Sequence, residues 1–253
     1  MTTDPSFSFG DIKAAQARIA DEAVYTPLLR NDHLDALVGG RVFLKCENFQ
    51  RTGSFKFRGA YNALASMSAD QRAKGIVAVS SGNHAQGVAE AARLFGVSAT
   101  IVMPDDAPAM KADRVRRAGA SVMPVDRFTE DRTAIARELA QETGAMFISP
   151  FDDYAVMAGQ GTVGLETIEQ MAALGAVPDI GLICCGGGGL CAGVSTVWCD
   201  AHSAMDIYAV EPEDFDDMKR SLESGVHQRN DDKARSICDA ILTPTPGALT
   251  FPV

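Results

Sequence analysis

One of the seven lysines, Lys56, stands between two phenylalanines in the run Thr52-Gly53-Ser54-Phe55-Lys56-Phe57-Arg58-Gly59-Ala60. An apolar, partly dry setting disfavours the ammonium form and lowers the lysine pKa. An amine made nucleophilic in this way suits imine chemistry with a carbonyl. The same residues also suit an amphipathic helix whose lysine snorkels past two packed rings. Further along, Gly186-Gly187-Gly188-Gly189 follows the apolar run Ile180–Cys184 and precedes another apolar run from Leu190. Glycines between a strand and a helix let backbone N–H groups converge on an anion, and the helix dipole adds favourable potential. The spacing is neither G-x-G-x-x-G nor a P-loop. A lone phosphate group is therefore the expected ligand, and a close-packed turn without ligand is the alternative.

A second polar turn, Ser80-Ser81-Gly82-Asn83-His84, also precedes an apolar periodic run. Hydroxyl, amide and N–H donors at a helix N-terminus suit a carboxylate, while plain N-capping by Ser81 or Asn83 is the simpler alternative. Glu211, Asp214, Asp216 and Asp217 cluster behind a strand end. Free carboxylates suit a hard cation such as Mg²⁺ or Ca²⁺, and a solvated acidic loop or a helix N-terminus is the alternative. His33, His202 and His227 show no ligand spacing and are expected at the surface or in packing.

The elements that must hold these residues follow from periodicity. Helices are expected over Asp11–Asp21, His33–Val38 and Lys56–Ser66, with an extended segment Tyr25–Leu29 and a strand Val42–Glu47 between them. From Gly75 strands alternate with helices across short loops punctuated by glycine. The strands are Ile76–Val79, Thr100–Met103, Ser121–Val125 and Met146–Ser149; the helices are Ala85–Phe95, Ala109–Ala118 and Arg132–Glu142. The pattern resumes with a helix Gly161–Leu174, a strand Ile180–Cys184, a helix Leu190–Asp200 and a strand Asp206–Val210. Such alternation means βαβ units and a parallel sheet, in an open form of which ligands sit beyond the carboxyl ends of the strands. Clear periodicity ends after Gly225.

A net charge of −10 repels nucleic acid and anionic membrane. No apolar run approaches the length of a membrane span. Met1–Pro5 lacks the basic region and apolar core of a signal peptide. Six cysteines without a C-x-x-C pair read as reduced thiols of a cytoplasmic protein rather than as a zinc site.

These segments together resemble the fold type II pyridoxal-phosphate family, in its serine racemase and threonine/serine dehydratase branch. Ser54–Ala60 resembles the segment of the cofactor lysine, Ser80–Gln86 the substrate loop and Gly186–Leu190 the phosphate loop. Ala158-Gly159-Gln160-Gly161-Thr162 fits a further family segment, and order and separations match from about Ala23 onward. The resemblance implies an α/β architecture of two open, mostly parallel twisted sheets flanked by helices, like the tryptophan synthase β subunit. It implies a cofactor-binding domain of residues 1–74 with 149–253 and a small domain of residues 75–148. Pyridoxal phosphate would be carried by Lys56, packed on by Phe55 and bonded through its ring oxygen by Asn83. Its phosphate would be held by the N–H groups of Gly186, Gly187, Gly188, Gly189 and Leu190. Ser81, Asn83 and His84 would line the site of the substrate carboxylate. Glu211, Asp217 and the carbonyl of Phe215 would hold a divalent cation (Mg²⁺, Ca²⁺ or Mn²⁺).

The implied reaction is dehydration of a β-hydroxy amino acid (threonine, serine or 3-hydroxyaspartate) to a keto acid and ammonia, by a homodimer. Many biosynthetic threonine dehydratases have alanine where Ser81 stands; serine there resembles the racemases and hydroxyaspartate dehydratases, its hydroxyl opposite Lys56. Family members continue past the segment resembling Thr243–Gly247, so the partner of the pyridine nitrogen is expected beyond Val253. Two other readings are a β-replacement enzyme, like the cysteine synthases, and a phosphate-ligand module without catalysis.

Overall fold

The computed structural model describes residues 7–126 and 128–253; the expectation about Met1–Pro5 lies outside the described residues. The first helix, α1 (Phe9–Ile19), begins two residues before its predicted start. Ser8 and Asp11 form a capping box there, and Ile12, Ala15 and Ile19 are buried. Strand β1 (Leu28–Arg30) pairs antiparallel with β2 (Phe43–Lys45) around the short helix α2 (Asp32–Val38). A 3-10 turn, Glu47–Phe49, leads to α3 (Lys56–Ser66), followed by the short helix α4 (Ala69–Ala73).

The regular region then forms one parallel four-stranded sheet. Its strands are β3 (Ile76–Val79), β4 (Ala99–Pro104), β5 (Ser121–Val125) and β6 (Met146–Ile148), in the order β5-β4-β3-β6. The helices between them are α5 (Asn83–Phe95), α6 (Ala109–Arg117) and α7 (Arg132–Thr143). Both faces of the sheet are covered, as right-handed crossovers of a parallel sheet require. Ile76 and Ala78 pack with Val88, Ala92 and Val115 on one face. Val77 and Val102 pack with Ala136 and Ala140 on the other.

Beyond it lie α8 (Tyr154–Ala173), β7 (Ile180–Cys184), α9 (Gly189–Ala201), β8 (Asp206–Val210) and α10 (Asp217–Ser224). Strands β7 and β8 form a separate parallel pair. The mostly parallel α/β expectation thus holds, with a four-stranded sheet, one parallel pair and one antiparallel pair among the described residues.

The largest departure is α8, which starts seven residues before the predicted Gly161. Its glycines do not break the helix; they let helices touch. A Cβ on Gly159 would fall 2.5 Å from the Arg58 carbonyl oxygen, and one on Gly161 2.8 Å from Ile12 Cδ1. A Cβ on Gly193 of α9 would fall 2.5 Å from the Met157 carbonyl oxygen. Glycine inside a helix costs about 1 kcal/mol against alanine, and here the close crossing of α3, α8 and α9 offsets it. One other departure bears on the site. Helix α5 starts at Asn83, so Asn83 and His84 belong to its first turn. The acidic cluster stands at the N-terminus of a helix, α10, closed by Gly225 at φ 73°, matching one of its two alternatives.

Candidate active site

The carboxyl ends of β3 and β7 open onto one cavity of about 390 Å³. Its wall includes Glu47, Ser54, Phe55, Lys56, Ser80, Asn83, His84, Pro150, Phe151, Cys184 to Cys191, Ala240, Ile241 and Thr243. The three separate motifs therefore meet in space. A wider surface depression of about 620 Å³, at Val177–Ile180 and Ala201–Asp206, contains His202 but none of the expected site residues.

Lys56 is the first residue of α3. The two neighbouring rings do different things. Phe57 is fully buried in the core, whereas Phe55 lines the cavity with its ring centroid 5.3 Å from Lys56 Nζ. The lysine ammonium donates to the Pro150 carbonyl oxygen at 2.6 Å. Burial pulls its pKa down to about 8, with a small opposing pull from Cys184. Nucleophilic attack needs the neutral amine, so reactivity rises as pH rises through the pKa. The rate of reductive labelling of Lys56 by pyridoxal phosphate should therefore reach half its maximum near pH 8. A midpoint near the ordinary lysine value of about 10.4 would contradict this setting.

The Gly186–Leu190 loop meets the requirements of an anion cradle. Among the described residues, the backbone N–H groups of Gly186, Gly187, Gly188, Gly189 and Leu190 have no acceptor. Gly188 has φ 94°, a conformation that side chains disfavour. Behind the loop there is no room for side chains either. A Cβ on Gly187 would lie 2.4 Å from the Phe151 ring, and one on Gly189 2.9 Å from the Phe151 carbonyl oxygen. In the same wall Ser54 Oγ is buried without a partner among the described residues, as is Thr243 Oγ1. Unpaired donors at one end, an aromatic ring at the side and a depressed lysine together fit pyridoxal phosphate.

The Ser80–His84 turn is placed unevenly. Asn83 and His84 line the cavity, as does Ser80, whose Oγ accepts from Gly82 N at 3.0 Å. Ser81 is half-buried between them and is not in the cavity wall. His84 Nε2 lies 3.2 Å from the Ile148 carbonyl oxygen. A carbonyl only accepts, so Nε2 carries the hydrogen and Nδ1 is left as a buried acceptor without partner. Burial, then the Lys56 charge, pushes the His84 pKa down to about 3. The ring is thus neutral and has no N–H to offer a carboxylate. Among the described residues the N–H groups of Asn83 and His84 in the first turn of α5 have no protein acceptor and remain available.

The acidic cluster sits apart from the cavity wall. The Glu211 carboxylate accepts from Met218 N and Lys219 N, both at 2.9 Å, and so caps α10. Asp217 is buried; one oxygen accepts from Asn230 Nδ2 at 2.6 Å and the other has no partner among the described residues. Burial pushes both carboxyls upward in pKa. Asp216 is instead taken by Arg220 at 2.7 Å. Among the described residues no group of three or more His, Cys, Asp or Glu side chains is placed to hold a metal.

Pro150, Phe151, Glu47 and the stretch Ala240–Thr243 were not visible as site residues in the sequence. Single residues far from any motif carry no spacing signal. Ser54 could have been found, since it lies two residues before Lys56. Glu47 joins a buried network that fixes the base of α3. Arg58 donates to Glu47 (2.8 and 2.9 Å) and to Glu166 (2.6 and 2.9 Å). Lys45 donates to Glu166 at 2.6 Å.

Comparisons with known proteins agree with this geometry. The family model described as pyridoxal-phosphate dependent enzyme matches residues 19–253. An L-threo-3-hydroxyaspartate ammonia-lyase of Pseudomonas sp is 46% identical over 246 residues, covering 97% of this chain and 76% of that protein. The crystal structure of the T.th. threonine deaminase aligns with TM-score 0.90 at 46% identity, covering 97% of this chain and 78% of that one. The serine racemase of Dictyostelium discoideum aligns with TM-score 0.89 at 38% identity, covering 97% and 77%.

Proposed function

The chain belongs to the family of pyridoxal-phosphate dependent enzymes, and on that premise we propose a lyase acting on a β-hydroxy amino acid. Threonine, serine or 3-hydroxyaspartate would be converted to a keto acid and ammonia. The observation that carries this reading is the meeting of Lys56, the unpaired N–H groups of residues 186–190 and the first turn of α5 in one cavity.

When bound, pyridoxal phosphate supplies an aldehyde for amines and a ring that accepts electrons released at the substrate α-carbon. Lys56 holds the cofactor covalently. Its free Nζ would take the α-proton as general base, for which a pKa of about 8 suits neutral pH. The glycine-loop N–H groups would hold the phosphate, Phe55 would pack on the ring and Asn83 would bond its phenolic oxygen. Backbone N–H groups of Asn83 and His84 receive the substrate carboxylate. Residues 75–148 act as the small domain that brings this turn to the cofactor, which residues 1–74 and 149–253 hold.

The test is keto acid and ammonia production from L-threonine, L-serine and L-threo-3-hydroxyaspartate with added pyridoxal phosphate. Equal yields of the two products are expected from at least one substrate. No keto acid from any of them, or product only with an added thiol, would point to the binding-module or β-replacement reading.

Racemisation is a second activity of the same site, supported by the likeness to a serine racemase. Ser81, half-buried on the turn between Ser80 and Asn83 and outside the present cavity wall, would have to turn inwards to serve the face opposite Lys56. Ser81→Ala should keep elimination from the L-substrate within a few fold and lose interconversion of enantiomers, as read by chiral chromatography. Unchanged interconversion would remove this role.

A divalent cation is supported by the unpaired buried oxygen of Asp217, whose charge also acts on Glu211. Mg²⁺ at a hundred times its Kd would stabilise the fold by about 2.7 kcal/mol. EDTA should therefore lower the melting temperature by several degrees and Mg²⁺ should restore it. A melting temperature indifferent to both would leave Asp217 as a buried acceptor for Asn230. We also infer a homodimer, and six free thiols support a reducing, cytoplasmic setting.

A further inference from the structure

The glycine loop is held from behind by residues 247–250. The Gly187 carbonyl oxygen accepts twice, from Thr250 Oγ1 at 2.6 Å and from Gly247 N at 3.1 Å. Thr250 is 4% exposed, so water does not compete for its hydroxyl. Asp152 Oδ1 accepts from Leu249 N at 2.7 Å and ties the same turn to the 149–153 loop. The Phe151 ring of that loop backs Gly187.

A peptide unit is planar and trans, so its C=O and N–H point in opposite directions. No peptide bond among the described residues is cis. Holding the Gly187 carbonyl behind the loop therefore turns the Gly188 N–H towards the cavity. That N–H has no acceptor among the described residues and stands at the N-cap of α9. Buried Ser54 Oγ, without a partner in the same wall, independently marks this cavity as one that a polar ligand completes.

We propose that Thr250 is a positioning residue for phosphate. Its hydroxyl sets the 187–188 peptide so that the Gly188 N–H meets the phosphate group of the cofactor. The proposal rests on the pyridoxal-phosphate reading of the cavity. Thr250 touches the loop only on its far side and acts through Gly187. Without the hydroxyl, Gly187 keeps one donor, and the peptide is free to tilt its N–H away from the anion.

The test compares pyridoxal phosphate with pyridoxal, which lacks the phosphate, by equilibrium dialysis against the wild-type chain, Thr250→Val, Thr250→Ala and Thr250→Ser. Loss of one hydrogen bond to the loop should raise the Kd for pyridoxal phosphate about tenfold in Thr250→Val and Thr250→Ala. The Kd for pyridoxal should stay within about twofold, and Thr250→Ser should behave as wild type. Both ligands are measured on one preparation, so an unfolded fraction changes the number of sites and not the ratio of affinities. Equal weakening of the two ligands, or an unchanged preference for the phosphate ester, overturns the proposal. A wild-type chain with no preference for the phosphate ester would remove the functional reading itself.

Discussion

Replacing Lys56 by alanine is expected to abolish the visible absorbance of lysine-bound cofactor and to lower lyase activity by at least about 10³-fold. Two roles are lost together. The covalent attachment goes with the amine, and so does the general base at the α-carbon, worth about 10²–10⁴-fold alone. The fold should survive. Lys56 makes one hydrogen bond, to the Pro150 carbonyl oxygen, and burial already disfavours its charge. The melting temperature of Lys56→Ala in the apo state should therefore match or exceed that of wild type. Retained activity would contradict the assigned role, and a collapsed fold would show that the lysine is structural.

Arg58→Met is the counterpart, with a large expected effect on stability. Arg58 is fully buried and binds Glu47 and Glu166, each through two hydrogen bonds. It also donates to the Val24 carbonyl oxygen at 3.2 Å and to Thr162 Oγ1 at 3.2 Å. Removing one partner of a buried pair leaves uncompensated charge and costs about 3–5 kcal/mol. Here two carboxylates would be left with Lys45, which bonds Glu166 at 2.6 Å. For a chain of this size the loss corresponds to a fall in melting temperature of roughly 10 °C. The same substitution loosens the base of α3, whose first residue is Lys56, so activity should fall as well. A stability loss under about 1 kcal/mol would mean that the network is weakly coupled to the fold.

The sequence showed those parts of the site that are continuous in the chain. Gly186–Leu190, Ser54–Ala60 and Ser80–His84 each combine residue types with one local geometry, and each proves to line or flank the cavity. The alternating strands from Gly75 were legible because buried parallel strands are apolar on both faces. Two features were not legible for physical reasons. Gly159 and Gly161 look like helix breakers until their crossing partners, Arg58 of α3 and Ile12 of α1, are known. His84 looks like a donor to a carboxylate until the Ile148 carbonyl claims its N–H. Thr250 and Phe151 act on the glycine loop from distant positions in the chain, and no spacing rule connects them.

The central claim is that one lysine, set apart by its surroundings, carries pyridoxal phosphate. Borohydride reduction of the chain mixed with equimolar pyridoxal phosphate at pH 8, followed by peptide mapping in a mass spectrometer, tests it directly. The expected result is one pyridoxyl group, on the peptide containing Lys56. Label spread over the exposed lysines Lys13, Lys74, Lys219 and Lys233, with Lys56 no more modified than they are, would contradict it.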